Sequence, residues 1–210
     1  MERMKLKRFL VLFMLIIVTV ISLGSQANSS TQSLCQVNEI DTTAISLWED
    51  DSLELQVEAT KDSIKESLVQ EVTEYINKQS PKAYETIPEN LVEAGLENNI
   101  DICFMMAQTE LETNFGTTGA GRPTSRRSMF GIIGKKYKTY EDAIDSYVNL
   151  LTTRYLGRGK TEQSLMKNYV SHSGHRYAGS RKYELHLSKT YKLICQQTNI
   201  RKLQTQYYLL

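Results

Sequence analysis

The sequence predicts a mainly α, single-domain protein with one small β excursion. Apolar residues recur at helical spacing in several segments, and Ser-Pro, Asn/Asp or Gly-rich breaks separate those segments. The segment Ile102-Cys103-Phe104-Met105-Met106-Ala107 is apolar nearly all round, as a helix buried at the centre of an α domain must be. The one place that suggests paired strands is short: a hairpin around Phe130–Tyr137, between glycine-bearing turns.

The elements follow in order. Residues 28–60 are polar and acidic, with little periodicity beyond Ile45, Leu47 and Trp48, and read as a linker or docked arm. The domain proper is expected over 61–197. Ile64, Leu68, Val72 and Ile76 fall four apart and form one stripe of a first helix, which Ser80-Pro81 ends. A second helix near Glu89–Asn98 offers Leu91, Val92 and Leu96, and the central helix opens on Asp101 as its N-cap. A loop rich in Gly, Thr and Arg runs from Gly116 to Arg127. Thr139 with Asp142 has the form of a capping box, opening a helix through Leu151 with Tyr140, Ala143, Ile144, Tyr147 and Val148 on its inner face. Helices near Glu162–Val170 and Arg181–Cys195 complete the set, and residues 198–210 read as a polar tail.

Residues 1–27 carry the marks of a secretory leader. Lys5, Lys7 and Arg8 precede an apolar run from Phe9 to Leu23, and Ser25-Gln26-Ala27 offers a cleavage site after Ala27. The expected location is therefore outside the cytoplasm, with membrane attachment only if the leader is retained. The formal charge is +1 overall but strongly polarised. Residues 28–112 hold 4 Lys/Arg against 18 Asp/Glu, and residues 113–210 hold 17 against 5. Two halves folded together would neutralise each other, and the basic half could also meet an anionic polymer. No nucleic-acid recognition motif occurs, and export argues against a nucleic-acid partner.

Three cysteines, Cys35, Cys103 and Cys195, leave an odd one in a secreted chain. Cys103 and Cys195 both fall on apolar helical faces, as core residues or as a conceivable bridge. No Cys/His cluster has metal-ligand spacing, so no metal or other cofactor is expected.

The chemistry concentrates at Ala107–Gly116, AQTELETNFG. Glu112 ends an apolar helical run just before a small residue, an aromatic and a glycine. A carboxyl on an apolar cleft floor keeps its proton near neutral pH and can protonate a glycosidic oxygen. A core helix whose last turn carries two solvated glutamates fits the same residues.

Taken with Ser128–Gly134 (SMFGIIG), Tyr140–Tyr147 (YEDAIDSY) and Arg176-Tyr177-Ala178 with Tyr183 six residues after Tyr177, this run resembles the bacterial glucosaminidase-domain family. These are endo-β-N-acetylglucosaminidases that cleave peptidoglycan. The resemblance covers about Ile64–Cys195. It implies a lysozyme-like fold with a shortened β-hairpin lobe, and peptidoglycan glycan strands as substrate. It also implies Glu112 as general acid, Tyr177 as a catalytic helper, and Gln108, Phe115, Phe130 and Tyr183 along the substrate cleft. Glu110 stands where the family is usually not acidic. The stretch Gly134–Thr139 supplies no second carboxylate before Glu141, whereas the family's second acid, where present, follows the Phe-Gly-Ile segment. A substrate-assisted route, in which the sugar's N-acetyl oxygen attacks the anomeric carbon, needs only one acid. A lytic transglycosylase or muramidase on the same scaffold, or a non-catalytic wall-binding module, is the alternative.

Overall fold

The core of the protein is built around one short, largely buried helix. The computed structural model describes residues 42–210 apart from 158, 168 and 171–173, so the leader, Cys35, His172 and residues 28–41 lie outside the described residues. The chain from Leu47 to Leu210 forms one compact unit. Seven α-helices are present among the described residues: α1 (Thr42–Gln79), α2 (Ile87–Glu97), α3 (Ile102–Thr113), α4 (Tyr140–Leu150), α5 (Glu162–Leu165), α6 (Arg181–Gln197) and α7 (Ile200–Tyr208). None is long and apolar enough to cross a membrane.

The central helix is α3, with every residue from Ile102 to Thr109 buried. Such a helix must satisfy its first N–H groups from side chains, because water is excluded. Asp101 Oδ1 accepts from the Phe104 amide at 3.2 Å, and Gln204 Oε1 accepts from the Ile102 amide at 3.1 Å. Gln204 also donates from Nε2 to the Ile100 carbonyl at 2.7 Å. Around α3, helix α1 presents Leu68, Val72 and Ile76, all 1% exposed or less, and Ser80 marks its end as the spacing predicted. Thr139 and Asp142 make the expected capping box, and α4 buries its predicted inner face.

Several expectations need correction. Residues 42–60, within the stretch expected as a linker or arm, are helical and form the first half of α1. Residues 198–210 are not a polar tail: Ile200 and Gln204 lie one turn apart on a buried face of α7. Its polar composition hid a helix whose single inward polar residue caps another. Helix α5 stops at Leu165 rather than Val170, and Val170 instead forms an antiparallel bridge with Arg176. That is the β pairing seen among the described residues. The hairpin expected at Phe130–Tyr137 does not form. Gly131 and Gly134 adopt φ of 68° and 81°, and the loop closes through the Tyr137 amide donating to the Arg126 carbonyl at 2.9 Å. Left-handed turns consumed the residues that a strand ladder would have used.

Candidate active site

Helix α3 ends in an unusual turn, and that turn positions the acid. Asn114, Phe115 and Gly116 take φ of 46°, 53° and 77°, three left-handed residues in succession. A left-handed aromatic is costly unless its surroundings hold it. Phe115 is fully buried and meets the Tyr75 ring edge-on, with centroids 6.3 Å apart. Asn114 is held by Ser80, whose hydroxyl donates to the Asn114 carbonyl at 3.1 Å. The Thr113 hydroxyl donates to the Met129 carbonyl at 2.9 Å, drawing the 128–132 loop onto the end of α3.

The loop reaches Glu112 through a glycine. A Cβ at Gly131 would lie 2.3 Å from Glu112 Oε2, and the backbone there is left-handed. Only glycine lets the loop backbone come so close to the carboxyl. Glu112 is half-buried, and it lines a cleft of about 550 Å³. Tyr183, at the start of α6, donates its hydroxyl to Glu112 Oε1 at 2.5 Å. Burial, and then the bond to Glu112, push the Tyr183 hydroxyl far above its ordinary range, so it stays a donor. With one carboxyl oxygen occupied by Tyr183, the other faces the Gly131 backbone.

Beside the acid lies a cluster of hydroxyls. Gln108 Oε1 accepts from Tyr147 at 3.2 Å and from Tyr177, and the two tyrosine oxygens are 3.0 Å apart. Burial drives both phenols well above the usual range. Phe130 stacks on Tyr147 with centroids 3.7 Å apart and rings 4° from parallel. The cleft thus has a rigid aromatic wall, with Ile132 and Leu150 alongside. Glu112 is the one carboxylate among the residues lining it. Arg154 also lines the cleft, is exposed, and makes no ion pair among the described residues.

Five of the six expected residues, Gln108, Glu112, Phe130, Tyr177 and Tyr183, line this cleft, and Phe115 does not. Phe115 turns inward because the left-handed turn carries it under Tyr75. The two tyrosines differ from expectation. Tyr183, expected beside the substrate, holds the acid, whereas Tyr177, expected as the acid's helper, bonds Gln108 and Tyr147 instead. Sequence reasoning placed Tyr147 on a buried face without giving it a role. A buried phenol must find a partner, and that rule alone pointed to a polar cluster. Arg154 was invisible for a different reason. Helix α4 continues into a π turn over Leu151–Tyr155, where the Leu156 amide reaches back to the Leu151 carbonyl at 2.8 Å. That turn changes the helical phase, so α-helical spacing misplaces residues 154 and 155.

Glu110 lies on another side of α3, where it accepts from Tyr75 at 2.9 Å and stays clear of the cleft. A second cleft, of about 560 Å³, sits at the start of α3 and contains Asp101, Glu162 and Arg201. Its acids are already engaged: Asp101 caps α3 and accepts from Tyr191 at 2.7 Å, and Glu162 accepts the Asp101 amide at 3.0 Å. No group of three or more His, Cys, Asp or Glu among the described residues could hold a metal ion. No family model matches the chain, and no curated protein or solved structure matches it.

Proposed function

We propose that the protein is an exported peptidoglycan hydrolase on a lysozyme-like scaffold, cutting the β-1,4 bond after N-acetylglucosamine with Glu112 as general acid. The observation that carries this reading is the setting of Glu112. It is a lone carboxylate in an aromatic-walled cleft, backed by a permanently protonated tyrosine and faced by a glycine. A single-acid cleft favours the substrate-assisted route. Glu112 gives its proton to the glycosidic oxygen as the N-acetyl carbonyl oxygen bonds to the anomeric carbon. The leaving sugar departs as an alcohol and a cyclic oxazolinium remains. Water then opens that ring at the anomeric carbon, and Glu112 recovers a proton from the water. Tyr183 holds the carboxyl through both steps, so the helper role moves to it from Tyr177. Tyr177 belongs to the wall against which the sugar rests.

The test is digestion of purified peptidoglycan by the wild type and by Glu112→Gln, with borohydride reduction and mass spectrometry of the new ends. Reduced N-acetylglucosamine, absent from the variant digest, is the expected result. Reduced or anhydro-muramic ends would assign a muramidase or lytic transglycosylase instead. Binding without fragments would assign a wall-binding module.

A further inference from the structure

The cleft around Glu112 holds one cation that the hydrolytic steps leave idle. Of the residues lining it, Glu112 and Arg154 are the two that carry charge. The ion pairs among the described residues are Lys65–Glu93 and Arg176–Glu184, so Arg154 pairs with neither Glu112 nor another acid there. Other polar groups of the cleft are already committed. Gln108 Oε1 accepts from Tyr147 and Tyr177, Glu112 accepts from Tyr183, and Ser180 Oγ accepts from the Tyr183 amide at 3.2 Å. The backbone that carries Arg154 is pinned by its neighbour. Tyr155 is buried, and its ring meets Tyr177 edge-on with centroids 5.0 Å apart and Tyr169 at 6.1 Å. Tyr177 in turn bonds Gln108, one turn before Glu112 on α3. A fixed wall therefore presents an exposed guanidinium to whatever enters the cleft.

We propose that Arg154 is a specificity-determining residue that pairs with a carboxylate carried by the substrate strand. The cleft then favours acid-bearing glycans over neutral polymers of N-acetylglucosamine. The inference rests on the hydrolase reading and adds the class of strand to it. A guanidinium presents a planar fork of N–H donors that matches a carboxylate with two parallel bonds. A polymer of N-acetylglucosamine alone offers that fork no anion. Peptidoglycan offers one from either of two sources. In the intact polymer the lactyl group of muramic acid is tied up as an amide, and the carboxylates lie on the stem peptide. Removing the peptide frees the lactyl carboxylate itself.

The experiment compares the full-length wild type with Arg154→Gln and Arg154→Lys. The substrates are intact peptidoglycan and glycan strands stripped of peptide by an amidase, each as prepared and with its carboxylates converted to neutral methylamides. Release of new reducing ends gives kcat and KM. The wild type should cleave an acidic strand with KM roughly tenfold below that of its methylamide form, the size of one charge-assisted hydrogen bond at an exposed site. Added salt should narrow the gap. Arg154→Gln should raise KM on the acidic strand to the methylamide value, which marks lost binding rather than lost chemistry. Arg154→Lys keeps the charge without the fork and should keep part of the preference. A gap on stripped strands assigns the lactyl carboxylate, and a gap on intact material alone assigns the stem peptide. Equal KM for both forms in the wild type, or a gap that Arg154→Gln leaves in place, would overturn the inference and leave the hydrolase reading standing. Release of no ends from any strand would instead remove the hydrolase reading, and the inference with it.

Discussion

Two sides of α3 carry the same chemical pair, a carboxylate accepting from a tyrosine hydroxyl, with different consequences. Glu110 accepts from Tyr75 at 2.9 Å, on the side packed by α1. Glu112 accepts from Tyr183 at 2.5 Å and lines an open cleft, with Gly131 against its other oxygen. The pair by itself does not make a site. What distinguishes Glu112 is room for a second molecule beside the carboxyl, and that room comes from a glycine and a left-handed turn. On the Glu110 side the tyrosine is nearly enclosed and stabilises packing.

The largest effect should come from exchanging the acids one at a time. Glu112→Gln should lower the rate of peptidoglycan hydrolysis about 10²–10⁴-fold, the range of a lost general acid. Glu110→Gln, assayed beside it by fragment release, should keep nearly the wild-type rate. Equal losses would dissolve the distinction between the two sides.

Next in size is the loop contact. Gly131→Ala puts a methyl group into the Glu112 carboxyl and should cost on the order of 10²-fold in kcat, since displacing a reacting group by about 1 Å has that effect. Gly134→Ala is the control. It has a similar φ, 81°, but open space around the added carbon. It should lose about 1–2 kcal/mol of stability to the left-handed backbone and keep its activity.

The tyrosines should separate more gently. Tyr183→Phe should reduce kcat about tenfold with KM little changed, the size expected for the loss of one hydrogen bond. Tyr75→Phe should leave kcat alone and instead destabilise the fold by about 1–3 kcal/mol, because it leaves a partly buried carboxylate without its donor. Denaturant titration of both variants checks the split.

The smallest difference is a pH dependence of stability. Burial holds the Glu110 carboxyl above its ordinary value of 4.5, with the Tyr75 bond opposing. A group raised in the folded state contributes fully below its unfolded value, and the contribution is lost as pH rises through the folded value. Between mildly acidic and neutral pH the wild type should therefore lose more Tm than Glu110→Gln, whose amide does not titrate. Parallel melting curves for the two would remove Glu110 as the cause.

Much of the helical frame was legible because short-range rules set it. The Ile64–Ile76 stripe, the Asp101 cap and the Thr139–Asp142 box each depend on residues within one or two turns of one another. Legibility failed where a distant partner decided the outcome. Gln204 makes sense in α7 only once the Ile100 carbonyl and the Ile102 amide stand beside it. The stretch Phe130–Tyr137 reads as a hairpin because turn glycines look alike from outside. Its real constraint is the carboxyl of Glu112, some twenty residues earlier in the chain.

The candidate site divides in the same way. The residues themselves singled out Glu112, an acid at the end of an apolar helix, and the family resemblance implied Gln108, Phe115, Phe130, Tyr177 and Tyr183. Tertiary structure assigned their partners: Tyr183 to the acid, Tyr177 to Gln108, Phe115 to the core, and Arg154 to the cleft through a π turn. The physical reason is that spacing sets the face a side chain occupies. Which hydroxyl meets which carboxyl depends on how two helices far apart in sequence pack, and no periodicity encodes that angle.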